Sequence, residues 1–414
     1  MNRVIVPSDG ISGVVVISGA KNSALLLLAA SVLATDKVVL RNMPMLEDVK
    51  KMCELLSLLN IKSTWVEERV LEIDPKGAKY CDLNSESCSS VRTSLLFIGA
   101  LLSRFGRFRV KSPGGCKLGP RPINFHIEAM REMGALIVDD GDEISGHINA
   151  SKDAEIHFGK PTVTGLVNAL LCAVSQPSKT IIHNCALEPE VDDCISFLRK
   201  LGANITRFGT KIEVVGRRLS KGAEHTVIPD RIEAGTFLIL GAMLGGKLRL
   251  ENVMPNHMIS VLRKLKESGA DYEITQNTIV LTVKKRPLAC NINASPYPGF
   301  PTDLQPQWCV LSAISEGSAK IVDEIYSKRF DHLCSLEKMG AKFERFPGGV
   351  LISGVETLMG ANISAENLRS AAALVLAAKV AKTPSNLNNV EHLWRGYDGF
   401  FAKLELLEAG QIVL

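Results

Sequence analysis

The sequence predicts an α/β protein of two domains, each built from three repeats that surround buried helices. The chain has 414 residues, more than one ordinary domain core accommodates. Hydrophobic residues make up 46% of it, which is enough to fill two cores. A sequence motif with a helix-and-strand pattern recurs about every 70 residues, and a helix that is apolar on nearly every face precedes each copy.

The recurring motif predicts an amphipathic helix that ends at Gly, followed by two short strands joined by a polar turn. Clear copies are Met130–Gly146, Leu198–Gly216, Leu265–Leu281 and Leu336–Gly354, and weaker copies are Leu55–Ile73 and Leu404–Leu414. The anchors of the six copies are Asn60, Gly134, Gly202, Gly269, Gly340 and Gly410. Six units predict two domains of three.

A different helix lies upstream of each motif, and its residues are small and apolar on nearly every face. These segments are Ser23–Ala34, Thr93–Ser103, Thr164–Val174, Ala234–Gly246, Pro306–Gly317 and Leu368–Ala381. A helix that is apolar on every side must be buried, so each repeat is expected to hold one inner and one outer helix.

Polar residues stand directly before the inner helices at equivalent places in the repeats. They are Lys21-Asn22-Ser23, Arg92-Thr93-Ser94, Thr162-Val163-Thr164, Arg231-Ile232-Glu233, Thr302-Asp303 and Asn367-Leu368-Arg369. Helix N-termini attract anions, and four of the six starts add Lys or Arg, which predicts a polyanion site between the domains. The competing interpretation is ordinary N-capping, which would explain Ser23, Thr93 and Thr236.

Composition excludes several classes of partner. The formal net charge is +4, and no block of like charge suggests nucleic acid or a membrane surface. The apolar runs are about half the length that spans a bilayer, and Met1–Ile11 lacks a signal-peptide core, so a cytoplasmic location is expected. The ten cysteines include no CxxC pair, which argues against a zinc site, and a chain without export features is expected to carry no disulfide. No metal or cofactor is expected, and a monomer is the default state.

Six segments together resemble the enolpyruvyl transferases, in one order from Ile11 to the C-terminus. They are GAKNSALLLLAA, SPGGCKLGPRPINFHI, PDRIEAGTFL, FPTDLQPQ, SKRFDHL and WRGYDGF. The resemblance implies an inside-out α/β barrel with a cleft between two domains. One domain would cover residues 22–229, and the other would join residues 1–21 to 230–414.

The resemblance also implies a reaction. The enolpyruvyl group of phosphoenolpyruvate would move to the 3-hydroxyl of UDP-N-acetylglucosamine, by addition and then elimination of phosphate. Cys116, on a Gly-rich loop, would protonate the methylene carbon, and Asp303 would be the base for the hydroxyl. Lys21, Arg121 and Arg395 would hold the phosphate and carboxylate, with Arg329 near the intermediate.

The remaining site residues are assigned by the same resemblance. Asn22 would hold the sugar, and the nucleotide side would comprise Arg92, Arg121, Pro122, Ile123, Asn124, Phe125, Lys160, Thr162, Val163 and Ile325. His126 follows the cysteine loop and is interpreted as structural.

Several positions depart from the family pattern. Asn367 stands where a carboxylate is usual, Asn124 replaces a common aspartate, and Thr164-Gly165-Leu166 replaces Gly-Ala-Thr. Three alternatives therefore stay open: a paralogue that uses another uridine nucleotide such as UMP, the shikimate-pathway relative, and a non-catalytic binder of the sugar nucleotide. Cys116 argues against the shikimate relative, which lacks the loop cysteine.

Overall fold

The computed structural model describes residues 1–84, 92–112, 123–410 and 412–413. The chain forms two compact units. The middle unit is Gly19–Ile228, and the terminal unit joins Met1–Ser18 to Pro229–Leu414. Within the described residues, every helix is too short or too polar to cross a membrane.

Helices and short strands alternate along the chain. The helices are α1 Lys21–Ser31, α2 Glu47–Leu58, α3 Phe97–Phe105, α4 Asn124–Glu132, α5 Val163–Ala173, α6 Pro189–Lys200, α7 Arg231–Leu244, α8 Ile259–Glu267, α9 Gln305–Ile314, α10 Leu333–Lys338, α11 Leu368–Val380 and α12 Phe400–Glu408. Single 3-10 turns cover Arg92–Leu96, Pro255–Met258, Thr302–Leu304 and Val390–Arg395.

The strands are β1 Asn2–Ile5, β2 Gly13–Val16, β3 Val38–Arg41, β4 Lys62–Glu67, β5 Val70–Asp74, β6 Arg107–Lys111, β7 Leu136–Asp139, β8 Glu143–His147, β9 Ala154–His157, β10 Lys179–His183, β11 Asn204–Phe208, β12 Lys211–Val215, β13 Ala223–Thr226, β14 Gly246–Glu251, β15 Asp271–Thr275, β16 Thr278–Val283, β17 Ile292–Ala294, β18 Ser318–Asp323, β19 Lys342–Phe346, β20 Gly349–Ser353, β21 Asn362–Ser364, β22 Ser385–Asn388 and β23 Ile412–Val413.

The inner helices are buried as the sequence predicts. They are α1, α3 and α5 in the middle unit and α7, α9 and α11 in the terminal unit. In the terminal unit these helices pack against one another, and in the middle unit α3 packs against both α1 and α5. Their apolar residues form the centre of a separate core in each unit. An all-apolar helix surface has no face that can be left in water, which is why these segments lie inside the sheets.

The repeat anchors all have the same backbone conformation. Gly134, Gly202, Gly269, Gly340 and Gly410 have φ between 69° and 104°, and Asn60 has a φ of 56°. Each anchor ends an outer helix with a left-handed residue, a conformation that glycine and asparagine adopt at the lowest cost. The repeated Gly or Asn in the sequence therefore marks the end of each outer helix. A β-hairpin follows this helix end in five of the six copies.

Each unit contains three sheets in its described residues. In the middle unit the strand orders are β13-β3-β5-β4, β6-β8-β7 and β11-β12-β10-β9. In the terminal unit they are β15-β16-β14-β2-β23, β17-β18-β20-β19 and β1-β22-β21. The prediction of an α/β fold with three repeats per unit and buried inner helices is confirmed.

One parallel strand pair recurs in five of these sheets. The pairs are β13 with β3, β9 with β10, β2 with β14, β17 with β18 and β21 with β22. The first strand of each pair leads to an inner helix, and the second leads to a loop before an outer helix. Since the strands run in parallel, both connections leave from the carboxyl ends of the same strand pair.

Four asparagines, which we term the strand-end asparagines, link the carboxyl ends of paired strands by hydrogen bonds. Each has φ between 53° and 59°. Their side-chain amides donate to the carbonyl oxygen just beyond the neighbouring strand: Asn42 to Val227 at 2.9 Å, Asn184 to Phe158 at 2.8 Å, Asn252 to Ile17 at 2.6 Å and Asn389 to Ala365 at 3.1 Å. The left-handed turn and the hydrogen bond together fix where both connections begin.

We expect Asn184→Ala to destabilise the protein by about 2 kcal/mol, because the variant loses a hydrogen bond worth about 1 kcal/mol and places alanine in a left-handed conformation. Asn184→Gly loses only the hydrogen bond and should cost about 1 kcal/mol. Urea denaturation of both variants measures the two contributions. The control is Asn204→Ala on the exposed end of β11, expected to stay within about 0.5 kcal/mol of the parent. Equal costs for the alanine and glycine variants would contradict the role of the backbone conformation.

Candidate active site

The predicted site residues occupy two kinds of position in each unit, and most of them follow the carboxyl ends of the parallel strands. Some begin the inner helices: Lys21 and Asn22 in α1, Thr162 and Val163 at α5, and Asp303 just before α9. Others lie in the connections to the outer helices: Ile123, Asn124 and Phe125 at α4, Ile325 and Arg329 after β18, and Arg395 after β22. Open α/β sheets bind their ligands at the carboxyl ends of their strands.

Part of the predicted site lies outside the described residues. Cys116, Arg121 and Pro122 belong to this part. The backbone of Arg92 begins the 3-10 turn before α3. The roles of these residues therefore rest on the sequence.

Asp303 is held between two arginines in the terminal unit. Its Oδ1 accepts a hydrogen bond from Arg329 Nη1 at 2.7 Å, and its Oδ2 accepts one from Arg369 Nη2 at 2.8 Å. The side chains of Arg329 and Arg369 are only 5% and 8% exposed, so both ion pairs are largely shielded from water. Each carboxylate oxygen of Asp303 is thus held by one arginine.

The electrostatics of this cluster keep Asp303 ionised. Burial alone would raise its pKa, but the charges and hydrogen bonds of Arg369 and Arg329 outweigh burial and hold the pKa well below the usual aspartate value. The pKa of Arg369 is raised above its ordinary value, because the attraction of Asp303 exceeds the cost of burial. The result is a fixed carboxylate with two fixed cations at the start of an inner helix.

Neighbouring residues position this cluster. Arg329 Nη1 also donates to Thr302 Oγ1 at 3.0 Å, and Thr302 Oγ1 donates to Asp323 Oδ2 at 2.6 Å. Asp323 Oδ1 accepts from the backbone N–H groups of Ile325 and Tyr326, so one buried aspartate ties the helix start to the loop after β18. A Cβ on Gly235 of α7 would lie 2.3 Å from Leu304, so glycine there lets the Asp303 turn pack against α7.

Arg369 was not among the residues predicted for the site. The sequence places it at an inner-helix start, at a position equivalent to those of Lys21, Arg92 and Arg231. Its pairing with Asp303 joins α11 to the turn before α9, and two residues that are distant in sequence meet only in the fold. The recurrence of a base at that repeat position was the signal that could have identified it.

The departure at Asn367 is accompanied by a carboxylate nearby. Asn367 caps α11, where its Oδ1 accepts from the backbone N–H groups of Arg369 and Ser370. Its Nδ2 donates to Asp331 Oδ2 at 2.8 Å. Burial, assisted by the charge of Glu366, raises the pKa of Asp331. A carboxyl group therefore lies at hydrogen-bond distance from the Asn367 amide.

In the middle unit, Lys21 forms a buried ion pair. Its Nζ lies 2.7 Å from Asp48 Oδ2, and the two side chains are 11% and 2% exposed. Asp48 lies in the first turn of α2, in the connection after β3, and no sequence pattern distinguishes it from other acids at helix starts. A Cβ on Gly19 would lie 1.8 Å from the carbonyl oxygen of Asn42, so only glycine fits the approach to Lys21.

The residues predicted for the nucleotide side form a second group in the middle unit. Phe125 packs edge-on against Phe158, with ring centroids 6.1 Å apart, and the exposed Lys160 Nζ lies 6.0 Å from the Phe125 ring. Thr162 caps α5 by accepting a hydrogen bond from the Gly165 N–H. The structure thus brings together residues from α4, the loop after β9 and α5.

His126 belongs to a buried hydrogen-bond network. Its Nδ1 lies 2.8 Å from Asn168 Nδ2, and its Nε2 lies 3.3 Å from Thr164 Oγ1. Asn168 also bonds to the backbone of Leu95 and Gly99, so the network joins α3, α4 and α5. These contacts agree with a structural role for His126.

Two of the residues interpreted as N-caps have different roles. Ser23 lies inside α1, and its hydroxyl donates to Asp193, which His225 Nε2 contacts at 2.8 Å. Thr236 lies inside α7 and donates to the Ile232 carbonyl oxygen. The capping interpretation of Ser23 and Thr236 is therefore wrong, since both helices begin earlier than the apolar pattern suggested.

Known proteins share this architecture. The structure resembles the enolpyruvyl transferase NikO from Streptomyces tendae, with a TM-score of 0.87, 22% identity and coverage of 98% of this chain and 96% of that chain. It also resembles EPSP synthase from Acinetobacter baumannii, with a TM-score of 0.76, 17% identity and coverage of 98% of both chains. At these identities the likeness concerns the fold alone.

Sequence comparison identifies the family. The family model described as EPSP synthase (3-phosphoshikimate 1-carboxyvinyltransferase) matches residues 5–404, and the chain belongs to this enolpyruvyl transferase family. The UDP-N-acetylglucosamine 1-carboxyvinyltransferase of Idiomarina loihiensis is 41% identical over 405 residues, which are 96% of each chain. The enzyme of the same name from Coxiella burnetii is 40% identical over 414 residues, 98% of this chain and 94% of that relative.

We expect Asp303→Asn to destabilise the protein by about 3 kcal/mol at neutral pH, because it leaves two buried guanidinium groups without their carboxylate. The folded pKa of Asp303 lies below the unfolded value of about 3.9, so this stabilisation is present above about pH 4 and is lost as pH falls further. Urea denaturation midpoints from pH 8 to pH 3 measure the difference between the parent and the variant.

The matched control is Asp271→Asn, whose carboxylate is 83% exposed and should contribute less than about 0.5 kcal/mol. A difference between the parent and Asp303→Asn that disappears already at pH 6 would contradict the low folded pKa.

Proposed function

We propose that this protein transfers the enolpyruvyl group of phosphoenolpyruvate to the 3-hydroxyl of UDP-N-acetylglucosamine and releases phosphate. The observation that carries the proposal is the match of about 40% identity, over nearly the full chain, to relatives named for this reaction. The product would enter peptidoglycan precursor synthesis. Both substrates are charged cytoplasmic metabolites, which implies that compartment.

In the terminal unit, Asp303 would accept a hydrogen bond from the attacking hydroxyl. A carboxylate clamped by two arginines is a weak base, because its low pKa opposes proton uptake. We infer that the phosphate or carboxylate of bound phosphoenolpyruvate draws Arg329 or Arg369 toward itself, which raises the basicity of Asp303 when the substrate is present. Arg395, at the end of the connection after β22, would bind another oxyanion of the donor.

In the middle unit, Lys21 would be the second cation for phosphoenolpyruvate. Its pairing with Asp48 fixes the ammonium group at the start of α1, so little side-chain entropy remains to be lost on binding. Arg121 would complete the clamp, and Cys116 would protonate the methylene carbon, both from the loop between β6 and α4. Asn22 would hold the sugar, and Arg92, Phe125 and Lys160 would contact the nucleotide.

The alternative functions have less support. The near-full-length relatives at about 40% identity carry the name of the UDP-N-acetylglucosamine enzyme, whereas the resemblance to EPSP synthase structures is at 17% identity. A non-catalytic binder would have no need of the Asp303 cluster, and the Asp331 carboxyl group beside Asn367 would supply the acidic group that position 367 lacks. A paralogue specific for UMP would differ only in the acceptor.

We expect the purified protein to release phosphate from phosphoenolpyruvate only when UDP-N-acetylglucosamine is present. A continuous phosphate assay with UDP-N-acetylglucosamine, UMP and shikimate 3-phosphate compares the three acceptors. Asp303→Asn should lower kcat by at least about 100-fold through loss of the base. Phosphate release with UMP and not with the sugar nucleotide would establish the paralogue. No release with any acceptor, despite calorimetric binding of UDP-N-acetylglucosamine, would establish the binder.

We expect the epoxide fosfomycin to alkylate Cys116. Lys117 and Arg121 flank this thiol, and their positive charges favour the reactive thiolate. Intact mass and peptide mass spectrometry should show one adduct, on the Cys116 peptide, and Cys116→Ser should abolish it. The internal control is Cys334, an exposed free thiol elsewhere in the chain. Equal labelling of Cys334 and Cys116 would contradict a specifically activated loop thiol.

A further inference from the structure

Three metal-ligating side chains meet on one face of the sheet β11-β12-β10-β9. Glu155 and His157 lie on β9, which is the edge strand, and His183 ends the neighbouring β10. The two strands are parallel, and their register pairs His157 directly with His183 and Glu155 with Ile181. Residues two apart on a strand share a face, so the three side chains project from the same side of the sheet.

The three side chains converge on a single point. His183 Nε2 lies 2.8 Å from Glu155 Oε1, and His157 Nε2 lies 3.6 Å from the same oxygen. The two imidazole rings are stacked, with centroids 4.3 Å apart and an angle of 2° between their planes. One potential ligand atom from each residue lies within 4.8 Å of the other two. Small rotations of the side chains would bring all three to the same ion.

We propose that Glu155, His157 and His183 form a binding site for a divalent transition-metal ion of the zinc class. Two neutral imidazoles and one carboxylate are a ligand set that such ions prefer, and they leave a fourth tetrahedral position for water. The carboxylate provides the negative charge, and both histidines coordinate through Nε2, which leaves the proton on Nδ1. None of these three residues is among those assigned to the transferase reaction.

The surrounding charges leave Glu155 available to the ion. Two lysines of this sheet, Lys179 and Lys211, have their ammonium groups 3.6 and 2.8 Å from Glu213 on β12. The side chains of His157 and Glu155 are 66% and 59% exposed, so an ion can enter directly from solvent.

The bound ion would join the edge strand to its neighbour. Among the described residues, β9 pairs on one side only, so it is held by fewer backbone hydrogen bonds than an interior strand. An ion coordinated by β9 and β10 together binds the folded sheet and not the unfolded chain, so it stabilises the middle unit by mass action. The sequence showed no metal motif because the two histidines are far apart in the chain and meet only through parallel pairing.

The test uses the full-length protein with any affinity tag removed. Isothermal titration with zinc chloride should show one site in the parent, and Glu155→Gln and His157→Ala should each weaken it by at least about tenfold. Cobalt(II) should give visible absorption typical of tetrahedral nitrogen and oxygen ligation, without a thiolate charge-transfer band. Zinc should raise the melting temperature of the parent but not that of His157→Ala.

The control is His147→Ala, since His147 is an exposed histidine at the end of a strand in another sheet of the same unit, and this variant should bind like the parent. Melting temperatures in EDTA show whether each variant is folded before titration. Unchanged zinc affinity in a folded His157→Ala, His183→Ala double variant would overturn the proposal. So would a cobalt spectrum with thiolate bands, which would place the ion on cysteine.

Discussion

The hydrogen bond from a left-handed asparagine to the end of the neighbouring parallel strand is the constraint on which the site depends. It recurs at Asn42, Asn184, Asn252 and Asn389, and at each place it holds an inner-helix start next to a loop that leads to an outer helix. In the fifth repeat Asp323 has a comparable role, through Thr302 and the backbone of the following loop. Because these five repeats bring the same two connections together, side chains that are about seventy residues apart in sequence reach equivalent strand ends.

The charge of the Asp303 cluster follows from this arrangement. Asp303, Arg329 and Arg369 by themselves carry a net charge of +1, which the nearby Asp323 and Asp331 reduce, and the start of α9 adds the positive end of a helix dipole. A shielded site with excess positive charge is stabilised by an anion. The same arginines that lower the basicity of Asp303 are therefore the groups that an incoming phosphate or carboxylate would engage, which links substrate binding to activation of the base.

The sequence predicted the fold well because each feature behind the prediction is local. An apolar helix must be buried, and a glycine such as Gly202 or Gly340 after an amphipathic helix must end it, so six copies define the repeats. The partners of the site residues could not be predicted in this way. Asp48 beside Lys21, Arg369 beside Asp303 and His183 beside His157 are contacts between different repeat elements, and nothing in the local pattern around either residue specifies the other.

Asn367 shows how a family site can change a residue and keep its physical requirements. Position 367 has two tasks, to cap α11 and to place a charge near the helix start, and asparagine caps a helix as well as aspartate does. The charge is the part that asparagine loses, and Asp331 restores it at hydrogen-bond distance. Because burial raises the pKa of Asp331, the restored charge is less permanent than that of Asp303, and the Asn367 amide, as a donor, favours the ionised form. Capping and charge are thus divided between two side chains, and the start of α11 keeps both.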